Sequence, residues 1–468
     1  MKNRSLKFFI YVAILFLSVI LWMIFSPALM NADSIVQYKQ ALAGNFDDWH
    51  PPIMSIVVYY IILMGGGIAV VTFLQVVSGC IGIYYLSKEV LKLLNVVSEK
   101  QLIIFPFIIL IILLLPISPL SYYLVTFIKD TWLAINLIWL VFLALWLLNK
   151  VNSKKKDKAI FLLLLISMSL ATVLRHNTLV LLPVFYILIH KILLLRFFKT
   201  KNTIKLYSFS VLIGSIPLLL YFILSYSIYF GFDVKKTHPE SQIVAMESLG
   251  AIAENPELKK ELTYITSHLT DNYKEAYIPG NVAPIMKWGP VKAVDSSFTI
   301  YNLELREQYF TLYSKAPFTL LKVKFNGFVN MIFPKYRYWF HPQLDKSSIG
   351  LVQNRTFKNI RNQLINFSQS IYSHRLFSLL FGEHFIWLSI NLVFLFFLLL
   401  RRALITNQYL LITLLFPFAY YSSYLMAATG PQFRFMFPAT IIVQIITFSV
   451  LFSKIQQAVL MRRTSYKL

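Results

Sequence analysis

Apolar runs long enough to cross the roughly 30 Å hydrocarbon layer of a bilayer as a helix recur along most of this 468-residue chain. They predict ten crossings, at about residues 8–30, 68–87, 102–118, 130–149, 159–175, 178–195, 206–229, 385–400, 407–427 and 434–452. Hydrocarbon offers backbone groups no water to bond, so the expected fold is all-α and polytopic, a helical bundle whose solvent is lipid. The apolar stretch 50–87 is interrupted by Gly65-Gly66-Gly67, and counting it as two crossings would put Lys150, Lys154, Lys155, Lys156 and Lys158 on the wrong side. Residues 51–64 are therefore expected to lie as a helix at the outer surface, preceded by a short amphipathic helix at 35–43.

Residues 230–384 break the pattern. They hold 13 of the 20 acidic residues, with Pro, Gly and turn signals, and no stretch able to span a bilayer. A large extracytoplasmic insertion is expected there, with helical character at 255–269 and 300–313. Residues 317–333 mix Leu, Phe and Val with Lys322 and Lys324 as an interfacial helix does. The chain thus divides into an N-terminal transmembrane module, 1–229, whose first outer loop is 31–67, the loop domain 230–384, and C-terminal helices with a cytoplasmic tail, 385–468.

Composition agrees: 57% of residues are hydrophobic and 14% charged, against about 25% charged in soluble domains, which excludes a soluble enzyme. The single cysteine, Cys80, excludes a disulfide framework or a cysteine metal cluster. A net charge of +24 in a soluble protein would suggest nucleic acid; here the charge is placed to orient helices. In the predicted topology the cytoplasmic segments carry 22 basic residues against Glu89, Glu99 and Asp157, and the opposite side carries the other 17 acids. Both termini are then cytoplasmic, the basic runs meet lipid headgroups, and no nucleic-acid partner is expected. Lys2, Arg4 and Lys7 precede a first apolar stretch too long for a signal peptide, and Ala28-Leu29-Met30 is a poor cleavage site, so this stretch is expected to stay as a span.

Chemistry is expected where polar residues interrupt the apolar background, because charge near hydrocarbon is costly without a partner or a task. Outside the insertion, the outer acids are Asp33, Asp47, Asp48 and Asp130, all at crossing ends or in the first outer loop. Four clusters stand out: Asn31-Ala32-Asp33-Ser34 with Asp47-Asp48-Trp49-His50-Pro51-Pro52; Lys129-Asp130; Arg175-His176-Asn177; and Gly430-Pro431-Gln432-Phe433-Arg434. Each has a structural alternative: Asp33 suits a helix cap, His50 a turn, Lys129-Asp130 a surface pair, and Arg175 and Arg434 snorkelling to headgroups. In the insertion, Tyr336-Arg337-Tyr338-Trp339-Phe340-His341 suits stacking on sugar rings with Arg337 on phosphate, or an interfacial aromatic belt. His341 and His384 show no partner in the sequence.

An acid after the first crossing, a short surface helix, His50-Pro51 before another surface helix, and Asp130 at the outer end of crossing four resemble the GT-C superfamily of membrane glycosyltransferases, including protein mannosyltransferases and lipid A aminoarabinose transferases. The 117–130 stretch, Arg175-His176-Asn177 and Phe433-Arg434-Phe435 are similar to small bacterial members. The Trp-Trp-Asp motif of oligosaccharyltransferases is absent, which argues against transfer of a preassembled oligosaccharide to asparagine.

The resemblance implies an inverting transferase of the plasma membrane, its active site extracytoplasmic. It takes a sugar from a polyprenyl-phosphate donor to a cell-envelope acceptor: a cell-wall glycan, glycolipid or protein. It implies Asp33 as general base, provided burial raises its pKa from about 3.9, with Asp130 as the second catalytic carboxylate. Asp48, His50, Lys129, Arg175, His176, Asn177, Arg337 and Arg434 would bind substrate or phosphate. The resemblance makes no cofactor certain and leaves metal dependence open; a divalent metal, Mg or Mn, if used, would be held by Asp33, Asp130 and His50, though orientation of a basic neighbour by Asp130 ranks above metal binding. Two other classes stay open: a transporter or flippase of a lipid-linked saccharide, which more often carries ionisable groups within its crossings, and a non-catalytic envelope assembly subunit.

Overall fold

The computed structural model describes residues 2–96, 98–149, 154–197, 203–287, 291–334, 349–400, 405–428 and 430–465. The first half comprises α1 (Lys2–Phe25), α2 (Ala32–Ala43), α3 (Ile53–Leu63), α4 (Ile68–Leu93), α5 (Gln101–Leu114), α6 (Pro119–Val125), α7 (Lys129–Asn149), α8 (Lys154–Leu174), α9 (Leu182–Ile192), α10 (Thr203–Gly214) and α11 (Ile216–Gly231). The insertion folds as α12 (Ser241–Glu254), α13 (Thr263–Ser267), α14 (Tyr273–Ala276), α15 (Leu303–Lys315), α16 (Pro317–Ile332), α17 (Lys358–Ser373) and α18 (Arg375–Gly382). The chain closes with α19 (Phe385–Leu400), α20 (Ile405–Met426) and α21 (Phe437–Ser465).

Among the described residues, eight helical spans are long and apolar enough to cross a membrane, and two bent helix pairs bring the number to ten. These occupy the ten stretches that the apolar pattern marks, and the molecule is an all-α polytopic membrane protein. Two expectations change in detail. The third stretch is a broken span: α5 ends at Leu114 and α6 turns away by 84°, because Pro116 and Pro119 deny the helix its backbone donors and Ser118 caps the new start, its Oγ accepting from Leu120 N at 3.3 Å. Residues 255–269 are not one helix but a tight 3-10 turn, Pro256–Lys260, followed by the five-residue α13. Conversely α12, unmarked by the sequence pattern, runs through the core of the insertion.

Two cores follow from this arrangement. One runs through the bundle. The other lies within the insertion, around Leu249, Ile252, Leu262, Leu305 and Leu312, with Trp49 of the first loop packed against it. The insertion also grips α20. Lys324 donates to the Met426 carbonyl at 3.1 Å, and the Gly280 and Gly327 backbones approach so closely that a Cβ on Gly327 would meet Ala428 Cβ at 3.1 Å and Gly280 Cα at 3.2 Å. The buried Glu247 carboxylate neutralises Lys324 at 2.6 Å and accepts from Tyr309 OH.

Candidate active site

Three short pieces of backbone set the site. Beyond α1, Leu29 pairs with Thr126 in a parallel bridge, Leu29 N donating to Val125 O at 2.8 Å and Phe127 N to Leu29 O at 3.0 Å. Asp33 and Asp130 each follow their bridge residue by four positions, so one pairing brings both acids to the same end of the bundle. Gln75 of α4 fixes the pairing from behind: its Nε2 donates to Leu124 O at 2.7 Å and Thr126 O at 3.0 Å, and its Oε1 accepts from Trp132 Nε1 at 2.7 Å. Gly79, one turn on, leaves room for Leu124, whose Cδ2 would lie 2.4 Å from a Cβ there.

Asn31, not Asp33, caps α2: its side chain accepts from Ser34 N at 2.9 Å. The Asp33 carboxylate is thereby free for other partners. Arg434 Nη1 lies 2.6 Å from Asp33 Oδ2 and Arg434 Nε 4.0 Å from Asp130 Oδ2. Asp130, in the first turn of α7, is fully buried and paired with Arg175. His50 Nε2 stands 3.7 Å from Asp33 Oδ1, and its Nδ1 faces Lys129 Nζ at 3.3 Å.

Electrostatics follows from this packing. Burial raises the Asp33 pKa, but Arg434, His50 and Lys129 together outweigh it and hold the carboxyl well below the usual range. The expectation that burial would lift Asp33 toward neutrality is therefore corrected: its cationic neighbours win. His50 is pushed down to about 3, by burial first and the Lys129 charge second, so the imidazole is neutral near pH 7.

A cavity of about 510 Å³ opens over this cluster, lined by Asp33, Asp48, His50, Lys129, Arg175, His176, Asn177 and Arg434 among others. Asp130 does not line it. The Asp33 side chain is 25% exposed and that of Asp130 0%, so Asp33 reaches the cavity while Asp130 lies beneath the arginines. Asp48 is committed to the fold: Oδ2 accepts from Tyr229 OH at 2.9 Å and Oδ1 from Thr237 N and Oγ1 at 2.5 and 2.7 Å, which ties the first loop to the start of the insertion. His176 bonds Tyr221 OH at 3.0 Å, and Asn177 donates to Ser423 Oγ at 3.2 Å. Arg337 and the 336–341 aromatic run lie outside the described residues.

Several groups support the arginines: Phe435 and Gln432 come from motifs the sequence marks, and His384 is a residue it leaves without a role. Phe435 receives both guanidinium groups, Arg175 at 4.7 Å and Arg434 at 4.9 Å from its ring centroid. Gln432 Oε1 accepts from Arg434 Nε at 2.6 Å. His384 is buried, its Nδ1 2.6 Å from Thr440 Oγ1 and its Nε2 2.8 Å from Phe433 O, and its ring stacks on Phe433 at 4.2 Å, so it anchors the residue before Arg434. Its place in Gly382-Glu383-His384-Phe385, a polar break in an apolar run, was the available signal.

Among the described residues, no three His, Cys, Asp or Glu side chains come together as a metal could use them. The set Asp33, Asp130 and His50 does not fit a cation in this arrangement, because the Arg434 guanidinium stands between the two carboxylates.

No protein-family model and no curated protein matches the chain. Among solved structures it is similar to the Archaeoglobus fulgidus oligosaccharyltransferase, described in complex with Zn and sulfate, at 13% identity and a TM-score of 0.42. The likeness covers 95% of this chain and 49% of that one, so the chain spans about half the length of the structure it matches.

Proposed function

We propose that the protein is an inverting glycosyltransferase that moves a sugar from a polyprenyl-phosphate donor to a cell-envelope acceptor on the extracytoplasmic side of the plasma membrane, with both termini cytoplasmic. One observation carries the reading: a partly exposed carboxylate, Asp33, shares a membrane-end cavity with Arg175, Arg434 and Lys129. Such a site joins a proton acceptor to cations suited to a phosphate leaving group. In this reading residues 1–229 and 385–468 supply the reacting groups and 230–384 cover them.

The acceptor hydroxyl attacks the anomeric carbon from the face opposite the phosphate, its O–H proton passes to Asp33, and the C–O bond to phosphate breaks with inversion. Charge gathers on the departing phosphate, where Arg434 and Lys129 donate charge-assisted hydrogen bonds. Arg434 links the two halves of the reaction. A phosphate that recruits its guanidinium draws it from Asp33, and the carboxylate, relieved of a counter-charge inside a buried pocket, becomes a stronger base. Asp130 keeps Arg175 placed and needs no contact with substrate.

The test is transfer of radiolabelled sugar from polyprenyl-phosphate donors to membrane acceptors by purified wild-type chain and a folded Asp33→Asn variant. Loss of transfer with donor binding retained supports the reading. Equal transfer removes Asp33 from the role of base, and a wild type that binds donors without transferring from any of them favours the flippase.

A further inference from the structure

The insertion presents an apolar face along α16. On α16, Phe318, Leu321 and Phe325 follow one another at helical spacing and are 85%, 63% and 56% exposed, while Leu320, Val323 and Gly327 on the other side are buried. Phe310 and Tyr313 of the preceding α15 are likewise exposed. An exposed apolar stripe of this kind on a water-facing domain marks a surface that something covers.

The position of α16 says what covers it. Its inner face touches the end of α20, a membrane-crossing span, through Lys324 on the Met426 carbonyl and Gly327 against Ala428. Just beyond its C-terminus, Phe333 stacks at 5.1 Å on Phe385, the first residue of the span α19. Met426 and Phe385, where those spans begin or end, are themselves exposed. The α16 stripe therefore runs on from surfaces that lipid must cover. Lys322 sits beside it with its ammonium on Glu254 at 2.6 Å, the arrangement of a charged head at a membrane surface with apolar residues below.

We infer that α16 lies in the headgroup layer with Phe318, Leu321 and Phe325 dipped into the bilayer, so that the insertion is seated on the lipid surface as well as tethered by its two chain connections. The occupant of this face is lipid, not a second protein. Because the opposite face of the same helix holds Met426 and Ala428, this seating also fixes the chain that leads to Arg434, and the inference stands whatever reaction the cavity performs.

The full chain suits a labelling test, since its one native cysteine, Cys80, is buried. Nitroxide labels at Phe318→Cys, Leu321→Cys and Phe325→Cys would be compared in phosphatidylcholine–phosphatidylglycerol nanodiscs with a lipid-facing reference, Phe222→Cys, and a water-facing one, Asp271→Cys. Power saturation should show the α16 labels favouring oxygen over a water-soluble nickel chelate, as at position 222. Labels as open to nickel as position 271 would overturn the inference, as would labels shielded from both reagents, which would mean a protein partner. Unsubstituted protein supplies a second reading: a lipid with a diazirine high on its acyl chain should cross-link to the peptide spanning 317–333, and absence of that cross-link alongside labelling of α11 counts against it.

Discussion

The Asp33 carboxylate is closed by Arg434, whose Nη1 stands 2.6 Å from Oδ2. Two residues 401 positions apart in the chain thus form the centre of the site, and most consequences of the structure follow from their pairing. Asp33→Asn keeps size and hydrogen bonding but removes the proton acceptor. Transfer should fall by about 10²–10⁴-fold, the usual worth of a positioned base, with little change in donor affinity, as single-turnover kinetics and donor binding would show.

Replacing the other partner should act differently. Arg434→Gln removes the guanidinium from donor phosphate and Asp33 alike, so donor affinity should weaken by about 1.5–3 kcal/mol, the range for hydrogen bonds to charged groups. Arg434→Lys should recover part of this, because one point charge cannot serve two carboxylates and stack on Phe435 as a planar guanidinium does. Unchanged donor affinity in the Gln variant would remove Arg434 from the phosphate site.

His50 predicts a pH dependence of stability. Its folded pKa, about 3, lies below the ordinary 6.5, so the unfolded chain binds the extra proton and stability falls as pH drops from 6.5 toward 3. Between pH 6.5 and 5 the loss should be about 2 kcal/mol. Thermal unfolding in nanodiscs should show it, and His50→Gln should flatten the slope in that window. Asp33 has the same sign in a lower window: the stability of its ion pair is present above pH 3.8 and is lost only below it.

Gln75 tests whether the Leu29–Thr126 pairing builds the site. Gln75→Leu leaves the Leu124 and Thr126 carbonyls and the Trp132 indole without this partner. It should cost about 1–3 kcal/mol for each buried group left unsatisfied and lower transfer although Gln75 touches no substrate. Retained full activity in a destabilised protein would show that the two acids hold their register without it.

Lys324 and Glu247 test the grip of the insertion on α20. Lys324→Met strands a Glu247 carboxylate that is 1% exposed and should destabilise by about 3–5 kcal/mol, as breaking a buried pair does. The double variant Lys324→Met with Glu247→Gln should recover much of this, a coupling that a double-mutant cycle reads directly.

The sequence by itself determined the all-α architecture, the ten apolar stretches and a short helix within 51–64, because a bilayer demands about 20 apolar residues wherever a helix crosses it. It also marked Asp33, Asp130, Arg175 and Arg434, since charge beside hydrocarbon is conspicuous. Their division of labour was decided by tertiary structure. Nothing in Asn31-Ala32-Asp33 says that Asn31 takes the cap and leaves Asp33 free, and nothing in Lys129-Asp130 says that the acid is buried beneath the arginines. The direction of the Asp33 shift rested on whether burial or cationic neighbours would dominate, and those neighbours come from α7, the first loop and the last hairpin. The supporting roles of His384, Gln432 and Phe435 were hidden for the same reason: a residue that acts by holding another is defined by its contacts, and contacts between distant segments exist only in the folded chain.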